Sequence, residues 1–491
     1  LNIGTVTTSG GTLNARGAII GQVEGTVNVT NTYGLDTSAS GMIGSGTASV
    51  TSKTAEQLSG NNAKKTTALD FDNYWSAAYD AEPILTTFAD DTDTLWMDTT
   101  WFNTTTNKGT IKTRNQLYGF AALAGDGTFN SESKVYLGAD ITVNEGTASK
   151  WATTEAEYAW TPINGFAGTF DGKGHTISGL YGVSDTEMGL FTATANTTVI
   201  QNLKVINSYF ETPNGSLSAI SGVGRGTFKN IYTDAMLVGS GQGEGVGSIL
   251  GVGQAGTVTI ENCWSNCTIN AQGKRVGGIL GSANANVATV KVKHCLNTGT
   301  ITYIHSSGNY YRFFGGIVGT TGTATSGSFT MDDCLNMGTV TNVGGDNAQG
   351  AIVGQVGGVV DITNTYALDT SNSKTIGNGT STGSVSISVK KASELKGISA
   401  KLNTTLDWYY WSVAGGNTPI LKTFATTNDA TDSLLIDTTW FDTTTNSGTI
   451  MTTNQLYGFI FLANNKKLDS SSKVYLGADI TVNQGTASEW K

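Results

Sequence analysis

Charge is scarce in this 491-residue chain, at 13% Asp, Glu, Lys and Arg together, and proline and cysteine are scarcer still, with 4 residues each. Only five of the residues are arginine, and the net charge of −10 leaves no basic stripe to displace phosphate counterions, which argues against a nucleic-acid partner. No run of eighteen apolar residues occurs, so no helical membrane span is expected. Four cysteines in so long a chain do not make a disulfide framework. Cys263, Cys295 and Cys334 sit at matching places of successive repeats and read as small buried side chains. Cys263 and Cys267 are four apart, but no second pair of metal-ligand spacing follows, so no metal site is expected there. Initiating methionine, signal peptide and wall anchor are also missing from the sequence, and the expectation is that such parts lie outside this stretch.

What is abundant is glycine, 64 residues, with Thr, Asn and Ser around alternating Val and Ile. Such composition reads as many short strands joined by tight turns, in an all-β protein. The chain also repeats itself. Residues 100–151 return without a gap as residues 439–490, Trp101 matching Trp440 at an offset of 440 − 101 = 339. LNIGTV at Leu1 reappears as LNMGTV at Leu335, NTYGLDTS at Asn31 as NTYALDTS at Asn364, and EPILTTF at Glu82 as TPILKTF at Thr418. The expectation is about one and a half copies of a unit near 340 residues, a window on a longer array.

A shorter, degenerate period runs inside that unit. Asn202, Asn230, Asn262, His294, Asp333 and Asn364 form one column, spaced by 28, 32, 32, 39 and 31 residues. Two residues earlier stand Ile200, Phe228, Ile260, Val292, Met331 and Ile362, and GSILG, GGILG, GGIVG and GAIVG recur at Gly247, Gly277, Gly315 and Gly350. A unit of this length without a helix cannot bury its own apolar face and must stack on copies of itself. The expected result is a coiled ribbon of parallel strands with like residues superposed, its asparagine column forming a hydrogen-bonded ladder. His294 and Asp333 read as substitutions in that ladder. The column glycines are expected either at positive φ or at close backbone approaches.

GTFDGKGHTISGL at Gly168, MGLF at Met188 and the GG-I-[LV]-G repeats resemble the GLUG-repeat surface proteins of bacteria and archaea. The opening segments TRNQLYGFAALA and SKVYLGADITV are similar to the part that precedes the repeats in that family. The resemblance implies a right-handed parallel β-helix, a solenoid in tandem units, of adhesin-like proteins on a cell surface. The expected division is residues 1–50 as last rungs of a preceding unit, 51–98 a junction, 99–154 an opening segment with a capping helix, 155–389 rungs, 390–437 a second junction and 438–491 the next opening segment.

The junctions carry aromatic clusters, Tyr74 and Trp75 in one and Trp408 and Trp411 in the other, read as plugs that cover one stack and join it to the next, with a carbohydrate platform as the alternative. Thr113 and Thr452 are placed as helix N-caps, before Leu117, Phe120 and Leu123 and before Leu456, Phe459 and Leu462. An insertion near residues 302–314 makes Tyr303, His305, Tyr310, Tyr311 and Arg312 a candidate ligand patch, against the plainer reading of a loop folded on its own layer. Asp90, Asp91 and Asp93 could ligate calcium, but the second copy keeps only Asp429 and Asp432. Acids elsewhere stand singly, as Glu187, Asp234, Glu244 and Glu261 do, and no nucleophile elbow, P-loop or dinucleotide fingerprint occurs, so no enzyme and no cofactor are expected.

The expected function is an extracellular structural protein, a stalk or filament for adhesion or matrix formation whose main partner is itself. The alternatives are a glycan- or receptor-binding module, a polysaccharide-degrading enzyme, and an ice-binding face. Thr104 and Thr443 argue against the last, since they fall in the opening segments. Asn28, Asn103, Asn196, Asn214 and Asn378 are candidate glycosylation sites.

Overall fold

The computed structural model describes the chain apart from residues 7–15, 40, 60–62, 64–65, 72, 78–81, 89–96, 242, 273–274, 284–288, 304–311, 323–326, 343–347, 414–416, 426–436, 465 and 483–491. It contains two compact units, Leu1–Asp126 and Gly127–Lys491.

In the larger unit the alternation of apolar and polar residues becomes parallel strands, each paired with the strand one inner period away. Val199–Thr212 lies beside Ser221–Gly239, which lies beside Leu250–Glu261. The register follows the columns: Ile200 pairs with Phe228, Phe228 with Ile260, Ile260 with Val292, Val292 with Met331 and Met331 with Ile362. All six side chains are buried. Each removes enough apolar surface from water to contribute about 1.5–3 kcal/mol. A one-residue slip would turn the whole column toward solvent, so the alternation itself sets the register.

The second column is held by glycine for a steric reason. A Cβ on Gly277, Gly315 or Gly350 would collide with the carbonyl oxygens of Leu280, Val318 and Val353. None of the three has positive φ. Of the two roles expected for them, close backbone approach is therefore the one these glycines fill. The Ile that follows in each motif, Ile279, Ile317 and Ile352, is fully buried.

The expectation of a right-handed β-helical solenoid is corrected. The chain is all-β, with a closed barrel of eight parallel strands and many strands outside it. Most of the described strands are short, as the composition suggests, but Ser221–Gly239 runs 19 residues and Val199–Thr212 runs 14, each with a side-chain-bearing residue at positive φ inside it. The chain is not a tandem array of equivalent units. The physical reason is that periodicity specifies which strands pair but not how the ribbon closes. Closure removes unpaired edges, and that is a tertiary outcome.

The smaller unit holds the helix Arg114–Gly125, whose start carries a capping box: Thr113 Oγ1 accepts from the Gln116 N–H at 3.2 Å, and Gln116 Oε1 accepts from the Lys112 N–H at 2.8 Å. Leu117 and Phe120 are buried and Leu123 is half-buried. The duplicate helix Thr453–Asn464 in the larger unit has the same box, from Thr452 and Gln455.

Candidate functional site

The six residues of the polar column all adopt the left-handed backbone conformation, with φ of 54° at Asn202, Asn230 and Asn262, 50° at His294, 55° at Asp333 and 45° at Asn364. Asn, Asp and His are the side-chain-bearing residues that best tolerate this region. That explains why His and Asp replace Asn here and why no β-branched residue does. The backbone requirement was invisible in the column read only as a ladder.

The side chains then bond along the column. Asn202 Nδ2 donates to Asp171 Oδ1 at 3.0 Å, Asn230 Nδ2 to Asn202 Oδ1 at 2.8 Å, and Asn262 Nδ2 to Asn230 Oδ1 at 2.8 Å. Burial pushes the Asp171 carboxyl up, but bonds from Lys173, Asn202 and Gln201 outweigh it and hold the group below the usual carboxylate range. The run stops at Asn262, whose Oδ1 is buried without a hydrogen-bond partner. Beyond it the polarity reverses, since His294 Nδ1 lies 2.7 Å from Asp333 Oδ2. Asn364 leaves the column's pairing and donates instead to Asp332 Oδ1 at 3.0 Å.

The last four column residues are each followed by a small buried side chain. The thiols of Cys263, Cys295 and Cys334 donate to the carbonyls of Glu261, Lys293 and Asp332 at 3.3, 3.1 and 3.3 Å. Thr365 makes the same contact through Oγ1, to Thr363 O at 2.7 Å. All four cysteines are free and buried. A second amide pair, Asn297 Nδ2 to Asn336 Oδ1 at 2.9 Å, is fully buried. Its signal, the repeated Leu-Asn at Leu296 and Leu335, was present in the sequence but passed unread.

The described residues of 390–424 lie as a strap across the flank of successive layers. Trp411 is buried against Leu296, Leu335 and Tyr366, with Leu395, Leu406 and Leu421 beside it. Its Nε1 donates to Asp333 Oδ2 at 2.6 Å, and the Asp407 N–H donates to Asp333 Oδ1 at 2.6 Å. The Tyr410 ring stacks on His294 at 3.8 Å and 14°, and Asn262 Nδ2 donates to Thr423 Oγ1 at 2.6 Å. The strap thus covers the place where the ladder breaks. Trp408 is half-buried at its edge, with the Lys401 ammonium 5.4 Å from the ring centroid. In the smaller unit, Trp75 packs against Phe71 and Ala77, and Tyr74 is exposed.

Beyond the strap's end, a groove of about 420 Å³ is lined by Lys173, Lys204, Asn202, Asn230, Thr423 and Phe424. Of the two lysines that line it, Lys173 is paired with Asp171, its Nζ 2.9 Å from Asp171 Oδ2 and 4.8 Å from the Tyr136 ring centroid.

Two residues of the candidate patch on the insertion are not at the surface. Tyr303 and Arg312 are buried and bonded to each other, with the guanidinium also 4.9 Å from the Tyr303 ring centroid. His305, Tyr310 and Tyr311 lie outside the described residues, as do Asp90, Asp91, Asp93, Asp429 and Asp432. Among the described residues no group of three or more His, Cys, Asp or Glu is placed to hold a metal ion, and no helix is long and apolar enough to cross a membrane. His175 contacts Asp140 Oδ1 at 3.1 Å, and neither it nor His294 bonds a hydroxyl or thiol.

No protein family matches the chain, and no curated protein matches it. Among solved structures it is similar to that of a candidate immunoglobulin A1 protease from Bacteroides ovatus, with 22% identity over 65% of this chain and 93% of that one, and a TM-score of 0.48.

Proposed function

We propose that the chain is a non-catalytic structural protein of the cell exterior, a stalk or filament segment that serves adhesion or matrix formation. The observation that carries this reading is the continuous bonding from layer to layer. Backbone register, the Asn202–Asn230–Asn262 ladder and the strap over His294 and Asp333 each tie one repeat to the next. Such an arrangement spends its polar side chains on rigidity, and it spreads a load over several layers. The resemblance to GLUG-repeat surface proteins supports the exterior location. Immunogold electron microscopy of intact producing cells tests it. Label along surface-attached fibres is the expected result, and label confined to the cell interior overturns it.

A second reading, a module that binds glycans or a receptor, is favoured by the groove at Lys173 and Lys204. Lys204, Asn202, Asn230 and Phe424, with Lys173 beside its partner Asp171, line a concave site that suits an acidic polyhydroxylated ligand. Binding of uronic-acid-containing oligosaccharides to the full chain, lost in a Lys173→Ala, Lys204→Ala double variant, is the expected result. Equal binding by that variant overturns it.

A further inference from the structure

The strap and the groove follow the same two columns of side chains. One is the polar column. The other, two residues further along each layer, holds Lys204, Tyr232 and Trp264 in register. Thr405 Oγ1 donates to Asn364 Oδ1 at 2.6 Å, the Asp407 N–H and Trp411 Nε1 bond Asp333, Tyr410 stacks on His294, and Thr423 Oγ1 accepts from Asn262 Nδ2 at 2.6 Å. Phe424 lies against the second column, its ring 6.3 Å from that of Trp264 and 5.9 Å from that of Tyr232. The next positions are Asn230 and Asn202 on the first column and Lys204 on the second, and these line the groove beside Thr423 and Phe424. The groove is therefore the strap's own track, carried past the strap's end.

The contact at Asn262 shows what this track can hold. Asn262 Nδ2 donates to Asn230 Oδ1 within the ladder and also to the Thr423 hydroxyl, which uses both of its N–H donors. Asn230 and Asn202 share its φ of 54° and donate along the column in the same sense. A hydroxyl placed over either one meets the geometry that Thr423 meets. Layers are about 4.8 Å apart, close to the advance of one sugar along an extended glycan. Lys204 stands at the level of Asn202, Lys173 is held by Asp171, and no lining ammonium stands at the level of Asn230. That pattern suits a chain in which acidic and neutral sugars alternate.

We infer that a linear glycan of this kind binds along the column in line with the strap, and that ligand and strap hold each other in place. Its hydroxyls sit on Asn230 and Asn202 as Thr423 sits on Asn262, its carboxylate lies at Lys204, and its end meets Phe424. This rests on the reading of the groove as a glycan site. Because Thr423 and Phe424 belong to the site, the glycan binds the chain with its strap docked better than the chain with its strap lifted. By linkage it must then hold the strap down.

Hydrogen exchange of the full chain with a hyaluronan oligosaccharide tests this, read at the Asp407 and Lys422 amides that the strap's own contacts protect. At about one hundred times the dissociation constant, these amides are expected to exchange up to about a hundredfold more slowly. Binding that leaves their exchange unchanged overturns the coupling and leaves the glycan site standing, whereas no binding to the unaltered chain removes both. Should the strap exchange no faster than the strands beneath it, Phe424→Ala carries the test. It is expected to weaken binding about tenfold through the loss of one aromatic wall. Equal affinity in Phe424→Ala, with binding lost in the Lys173→Ala, Lys204→Ala double variant, overturns the inference alone.

Discussion

Asp333 is the sharpest place to test how the strap is held. The residue is 2% exposed and accepts three donors, His294 Nδ1 at 2.7 Å, the Asp407 N–H at 2.6 Å and Trp411 Nε1 at 2.6 Å. It also sits at φ 55°. Asp333→Ala removes every acceptor while leaving three buried donors, and it places a side chain without local hydrogen bonding in the left-handed region. Breaking a buried charge pair from one side costs about 3–5 kcal/mol, and the backbone strain adds about 1–2 kcal/mol. The terms overlap, because the strap relaxes once Trp411 loses its anchor, so the expected loss is about 4–6 kcal/mol. Asp333→Asn keeps the backbone preference and one acceptor oxygen, and it is expected to cost about 1–2 kcal/mol. Asp333→Gly relieves the strain alone and is expected to fall between them. Urea unfolding followed by tryptophan fluorescence measures all three, and limited proteolysis within residues 390–424 reports strap release separately. A cost for the alanine variant below about 1 kcal/mol, or equal to that of asparagine, would refute the reasoning that Asp333 anchors the strap.

Burial pushes the His294 imidazole down, but the hydrogen bond and charge of Asp333, with smaller help from Cys295 and Asp407, raise it above its ordinary 6.5. A raised pKa stabilises fully below 6.5 and is lost as pH rises through the folded-state value, so the melting temperature is expected to fall over that window and to flatten in His294→Asn. Asn230→Ala loses two ladder bonds at about 1 kcal/mol each and gains left-handed strain, so it is expected to be less stable than Asn230→Gly by about 1–2 kcal/mol in urea titration. Equal stability of the two would show that backbone conformation does not select this column. Burial pushes the Cys267 thiol up to about 11 and raises those of Cys263 and Cys334. All four thiols are buried, so a thiol reagent is expected to label no cysteine in the native chain and all four on unfolding.

The strand pairing was legible in the sequence because a period of near 30 residues carries both an apolar column and a polar one. Phe228 must fall on Ile260, since any slip exposes it. The capping boxes at Thr113 and Thr452 were legible for the same local reason, a hydroxyl three residues before an amide. The destination of the junctions was not. Nothing in the Trp-Tyr cluster says that Trp411 reaches Asp333, 78 residues earlier, because that contact exists only once separate layers present a flank to lie on. The place of Tyr303 and Arg312 was not legible either: they have the composition of a surface patch, yet they bond each other in the interior, and pairing between them is a tertiary fact.

By itself the sequence determined that this is an all-β chain of parallel, superposed repeats, with glycine where backbones touch and Asn, Asp or His where φ turns positive. Those are local demands of sterics and alternation, and each residue answers them with its neighbours alone. Only the tertiary structure decided how the strands close into a barrel, where the ladder reverses its polarity between Asn262 and His294, and that the second junction is a strap anchored on Asp333. These depend on groups far apart in the chain meeting with the right donors and acceptors, which no period in the sequence encodes.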